Sequence, residues 1–112
     1  MKKIFTGALV LLACGLFIFA AAAQGGGDAA VRITNHEFRP RQLEVRPGAV
    51  VTWTNEAGSH TVTADDDSFA SPALGAKQTF SHRFDKPGTY RYYCAFHGGK
   101  GGEGMSGTVT VK

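Results

Sequence analysis

The sequence predicts an all-β fold, a small two-sheet sandwich of about seven to eight strands. Three observations carry this. Short segments alternate apolar and polar residues, as in "VRIT" and "LEVR", which is the period of a half-buried strand. Turn residues separate those segments: "RPGA" at 46–49, "ASPALG" at 70–75 and "KPGT" at 86–89, where glycine and proline set turn geometry. No window shows helical periodicity, and no internal repeat is present.

The elements follow in order. Residues 1–23 open with Lys2 and Lys3, continue as an apolar run and end in alanines. That is the layout of a signal peptide and predicts export, to the periplasm or another extracytoplasmic space. An uncleaved anchor, which would leave the chain tethered to a membrane, is the first alternative. A lipid on Cys14 is the second, although the residues after Cys14 stay apolar where a polar tether is expected. The glycine-rich residues 24–30 read as a spacer, and residues 31–112 as the domain. Strands are expected in "VRIT" (31–34), "LEVR" (43–46), "VVTWT" (50–54), "HTVTA" (60–64), "QTFSHRF" (78–84), "TYRYYC" (89–94) and "GTVTVK" (107–112). Residues 64–76 are the longest irregular stretch. Alternation selects Val31, Ile33, Leu43, Val45, Val50, Val62, Phe80, Phe84, Tyr90, Tyr92, Val109 and Val111 for the core, with Trp53 partly buried. A sandwich of this size needs Greek-key connections.

Charge excludes one class of function. The chain carries 12 Lys and Arg against 9 Asp and Glu. Without Lys2 and Lys3 the balance is nearly even and no basic cluster remains, so nothing points to nucleic acid. Loss of the leader also removes Cys14 and leaves Cys94 without a disulfide partner. An exported thiol is open to oxidation unless it is buried or occupied.

The chemistry gathers near the C-terminus. Alternation through "TYRYYC" turns Tyr90, Tyr92 and Cys94 to one face and Arg91 and Tyr93 to the other. His97 follows in a tight turn, and Met105 closes the glycine-rich segment before the last strand. His60, after the turn "NEAGS", is the best candidate for a fourth group at the same pole. Two imidazoles, a thiolate and a weak thioether form the ligand set of a blue-copper centre. Competing readings are a structural buried thiol for Cys94, zinc as the metal, which seldom takes methionine, and loop packing for Met105. His36 and His82 read as ordinary strand histidines. Asp65, Asp66 and Asp67 read as a solvated loop, with partner docking as the alternative.

"GTYRYYCAFH…GMSGTVTVK" resembles the copper-binding C-terminal region of the plastocyanin family of cupredoxins. "FRPRQLEVRPGAVVTWTNEAGSHTVTA" is similar to the family's two strands, turn and first histidine loop. The resemblance covers nearly all of residues 31–112. It implies a cupredoxin-like Greek-key β-sandwich with one type 1 copper ion per chain, cycling between Cu(I) and Cu(II). It also implies His60, Cys94 and His97 as strong ligands, with Met105 axial. The implied function is single-electron shuttling between transient protein donors and acceptors, by a monomer that is not an enzyme and has no small-molecule substrate. Phe96 would form part of an apolar collar around His97, the electron port, and Tyr93 resembles the family's outward tyrosine, a second port. Two features depart from the pattern. The spacing C-x₂-H-x₇-M is longer than in plastocyanins, and Thr61 stands where they have asparagine. The competing functional class is a periplasmic copper-binding or delivery protein; a third is a copper-free adhesion sandwich.

Overall fold

The computed structural model describes residues 27–112. The leader expected over residues 1–23, with Cys14, lies outside the described residues. Within them are eight strands and no helix: β1 (Ala29–Thr34), β2 (Glu37–Arg39), β3 (Gln42–Val45), β4 (Ala49–Asn55), β5 (Thr63–Ala64), β6 (Thr79–Phe84), β7 (Gly88–Gly99) and β8 (Glu103–Val111). They form two four-stranded sheets, ordered β2-β1-β4-β6 and β3-β8-β7-β5. β1 runs parallel to β4 and β3 parallel to β8, while the other pairs are antiparallel. From β2 to β7 the chain changes sheet at every step. This is the expected all-β sandwich.

Hydrophobic alternation decides which face each strand buries. In β4, Ala49, Val51, Trp53 and Asn55 point inward, and Val50 lies half-buried on the other side. The expectation for Val50 therefore fails by one residue. Two adjacent valines leave the parity of "VVTWT" ambiguous, and the large indole at Trp53, fully buried, settles it. Leu43, Phe80 and Tyr90 only lean against the core from its margin.

Three core contributors come from segments that alternation did not mark. Phe38 sits on the short strand β2, and Phe69 and Leu74 come from the irregular stretch between β5 and β6. That stretch is laced back onto the chain before it. Ser71 N–H donates to the Val62 carbonyl at 2.8 Å, and Ala64 N–H to the Phe69 carbonyl at 2.9 Å. Its backbone polar groups are thus satisfied without a long ladder. "HTVTA" correspondingly shortens to the two-residue β5, with His60 joined to Leu74 by an isolated bridge. β1 begins at Ala29, inside the stretch read as spacer. His82 behaves as an ordinary β6 histidine, stacked against Phe69 and Phe84. Burial lowers its pKa, with Asp85 opposing.

The centre of the sandwich is aromatic. Trp53 meets Tyr92 edge-on at 5.3 Å between ring centroids, and Tyr92 meets Phe38 at 4.7 Å. Burial pushes the Tyr92 phenol up to about 12. Across the ladder, Tyr92 pairs with Gly107, and a Cβ at Gly107 would lie 2.5 Å from the Tyr92 Cζ. The ring is held on both sides and has nowhere to go. Gly107→Ala should therefore cost about 1–3 kcal/mol, the usual range for overpacking. A urea unfolding midpoint lowered at unchanged slope would show it.

Candidate metal centre

The site is built where β7 and β8 lose their regular pairing. Tyr93 pairs with Ser106 and Gly98 with Gly104. Between those two rungs β7 carries four residues, 94–97, and β8 carries one, Met105. This β-bulge places Cys94, His97 and Met105 at one level of the sheet. The glycine-rich segment expected as a loop is in fact the continuation of both strands into a narrow ribbon, closed by Lys100, Gly101 and Gly102. Two glycines make the ribbon possible. A Cβ at Gly98 would lie 2.7 Å from the Glu103 carbonyl oxygen and 2.8 Å from Met105 N. Gly104 has a φ of +59°, and a Cβ there would lie 2.6 Å from the His97 carbonyl oxygen. Sequence length alone placed Met105 at the end of a long excursion. The ribbon returns it to the bulge, 4% exposed.

His60 arrives from the other sheet, five residues beyond the end of β4. Asn55, fully buried, organises that turn: its Nδ2 donates to the Gly58 carbonyl at 2.8 Å and the Leu74 carbonyl at 3.0 Å. His60 itself exchanges both backbone hydrogen bonds with Leu74, at 3.1 and 2.7 Å. The imidazole is 3% exposed. Burial, reinforced by the neighbouring His97 and His36, lowers its pKa, and a backbone hydrogen bond with Ala57 opposes. A neutral ring is the form that binds metal.

The side chains converge. Cys94 Sγ lies 3.7 Å from His60 Nδ1 and 3.5 Å from His97 Nδ1. One donor atom from each of the three residues lies within 4.8 Å of the others. Cys94 is fully buried and His60 nearly so, while His97 is exposed. Both rings thus present the same nitrogen to one sulfur, a spacing a single ion can span. The donors fit copper: the thiolate suits Cu(I), imidazole suits both oxidation states, and the buried thioether of Met105 stands on the same bulge.

Thr61 binds the two ligand segments together. Its N–H donates to Cys94 Sγ at 3.4 Å, and its hydroxyl accepts the Ala95 N–H at 2.7 Å while pairing with Thr63 Oγ1 at 3.0 Å. The departure from asparagine at this position is therefore filled by a hydroxyl that reaches across to β7. Thr61→Val keeps the shape and strands the Ala95 N–H. Loss of about 1–3 kcal/mol in the metal-free protein follows, together with about 10–100-fold in copper affinity. Denaturant titration and chelator competition measure the two.

Asn55 and the two ribbon glycines escaped the sequence reading, which marked Thr61 only as a departure from asparagine. A buried asparagine in step with Trp53 on β4 was the available signal for the first. The acidic run resolves into separate roles. Asp65 accepts the Gly101 N–H at 2.8 Å and so ties down the ribbon tip, and Asp66 accepts from Ser68 N–H at 3.0 Å. Around His97, Phe96 is 56% exposed, the one exposed large hydrophobic side chain among the described residues. Tyr93 is half-buried.

The comparisons agree with this geometry. A sequence model of "Copper binding proteins, plastocyanin/azurin family" matches residues 27–112. A plastocyanin of Scenedesmus fuscus is 37% identical over 87 residues, covering 67% of this chain and 86% of that protein. Amicyanin-alpha of Methylorubrum extorquens is 35% identical over 77 residues, covering 63% and 65%. Among solved structures, a purple cupredoxin from Nitrosopumilus maritimus superposes with a TM-score of 0.66 at 31% identity, covering 75% of this chain and 99% of that one.

Proposed function

The chain belongs to the plastocyanin/azurin family of copper-binding proteins, and from that premise we propose that it is an exported electron carrier. Its cofactor is copper. The observation that carries the reading is the convergence of His60, Cys94 and His97 on one point at the end of a rigid sandwich.

Bound copper would supply a one-electron couple, Cu(II)/Cu(I). The residues around it hold one arrangement for both charges. His60 is fixed by its two-way backbone bridge to Leu74, and Cys94 by full burial on β7. The Thr61 N–H lies against the sulfur and offsets part of its charge. Met105 would add a weak thioether, the kind of donor that tunes the potential of such a site. A site whose His60 and Cys94 are held this firmly would change little between the two charges, so little reorganisation would oppose electron arrival or departure. His97, exposed beside Phe96, is the exit. An uncharged apolar surface there suits brief contact with protein donors and acceptors. The layout of residues 1–23 supports export and a mature domain acting outside the cytoplasm. No catalytic acid or base is assigned, and the reading is a carrier and not an enzyme.

The test is a redox cycle on the copper-loaded protein. One electron per chain should bleach the thiolate absorption, and one oxidising equivalent should restore it without loss of metal. Copper that leaves to a chelator on reduction would instead identify a delivery protein.

A further inference from the structure

His36 was read from sequence as an ordinary strand histidine, and the structure puts it at the metal pole. It occupies the turn between β1 and β2 with φ of +60°, a left-handed conformation uncommon for a residue with a side chain. From there its ring meets His97 edge-to-face, with centroids 4.2 Å apart and planes at 79°. His60 lies at 5.8 Å. The three imidazoles, with Phe96, Ala57 and Gly58, line one open groove.

The two ligand histidines are held unequally. His60 is buried, fixed by a two-way backbone bridge, and flanked closely by Gly58. His97 is exposed and sits in the bulge, where β7 has no ladder partner. Its ring touches the sulfur of Cys94 on one side. Of the rings around it His36 is nearest at 4.2 Å, ahead of the other candidate ligand His60 at 5.0 Å and Phe96 at 6.4 Å. A ring with free rotation about its side-chain torsions must lose that freedom to bind a metal, and an aromatic neighbour in van der Waals contact removes it beforehand.

We propose that His36 is a positioning residue for His97, its ring holding the exposed imidazole with Nδ1 turned toward Cys94. The proposal rests on the reading of His97 as a copper ligand. It also explains why the turn places a histidine in a left-handed position, a backbone conformation that costs about 1–2 kcal/mol.

His36→Asn tests it, because asparagine suits that backbone and removes the ring. His36→Phe restores a ring without a nitrogen. The first readout is NMR of the metal-free protein, where the ring-proton resonances of His97 report the neighbouring ring directly. They should move and sharpen in His36→Asn and lie near native positions in His36→Phe. The second is copper affinity by chelator competition. His36→Asn should lose about 10-fold, at an unchanged unfolding midpoint of the metal-free protein, and His36→Phe should recover most of it. Unmoved His97 resonances with unchanged affinity in His36→Asn overturn the proposal, as does equal loss in both variants. The thiolate absorption of the native protein separately reports the copper reading. Its absence overturns both, whereas its presence beside an indifferent His36→Asn overturns the proposal alone.

Discussion

Copper-loaded Cys94→Ser protein is expected to lose its intense visible absorption altogether. The colour of a type 1 site arises from charge transfer between the thiolate and Cu(II), and a serine hydroxyl cannot ionise to replace it. Serine is close in size, so the sandwich around it should persist, and circular dichroism of the metal-free variant should match the native protein. What disappears is the coupling between metal and stability. A ligand bound only by the folded state at 100 times its dissociation constant adds about 2.7 kcal/mol. Copper at that level should raise the unfolding free energy of native protein by about that amount. The same concentration should leave Cys94→Ser nearly unchanged. Any Cu(II) still taken up by His60 and His97 should show a tetragonal, nitrogen-and-oxygen EPR spectrum.

Gly98→Ala is expected to be the most damaging single methyl in the described structure. The added Cβ would enter the backbone of Glu103 and Met105 on the paired strand. No rotamer change relieves a clash with main chain. The cost should reach or exceed about 3 kcal/mol, the upper part of the overpacking range. The ribbon must open, so Met105 should leave the bulge and the visible spectrum of any bound copper should change with it. Gly101→Ala is the control. Nothing lies within 4 Å of a Cβ there, and only the φ of +80° opposes it. Its cost should stay near 1–2 kcal/mol, with the spectrum of the loaded protein preserved. Denaturant unfolding and an optical spectrum on the same samples separate the two effects.

Much of this was legible in the residues. Alternation found seven strands because a sheet with one buried face writes its register into the chain. The residues that gather at the metal pole were legible because thiolate, imidazole and thioether carry specific chemistry at positions that packing does not demand. The remainder depended on long-range placement. Phe69 and Leu74 belong to no periodic segment, and only the hydrogen bonds returning from residues 62–64 bring them inward. Val50 and Val51 are equivalent in composition, and Trp53 resolves them through volume. The ribbon at 98–104 reads as flexible from its glycines, yet close backbone contact requires two of them. His36 is separated from His97 by sixty residues, and no local pattern could join their rings.

X-ray absorption at the copper edge of the fully loaded protein counts the atoms bound to the metal. One ion per chain is expected, with a single short copper–sulfur bond and two nitrogen neighbours, the short-sulfur contribution vanishing in Cys94→Ser. A native spectrum fitted by nitrogen and oxygen alone, with no short sulfur, would contradict a copper site centred on Cys94.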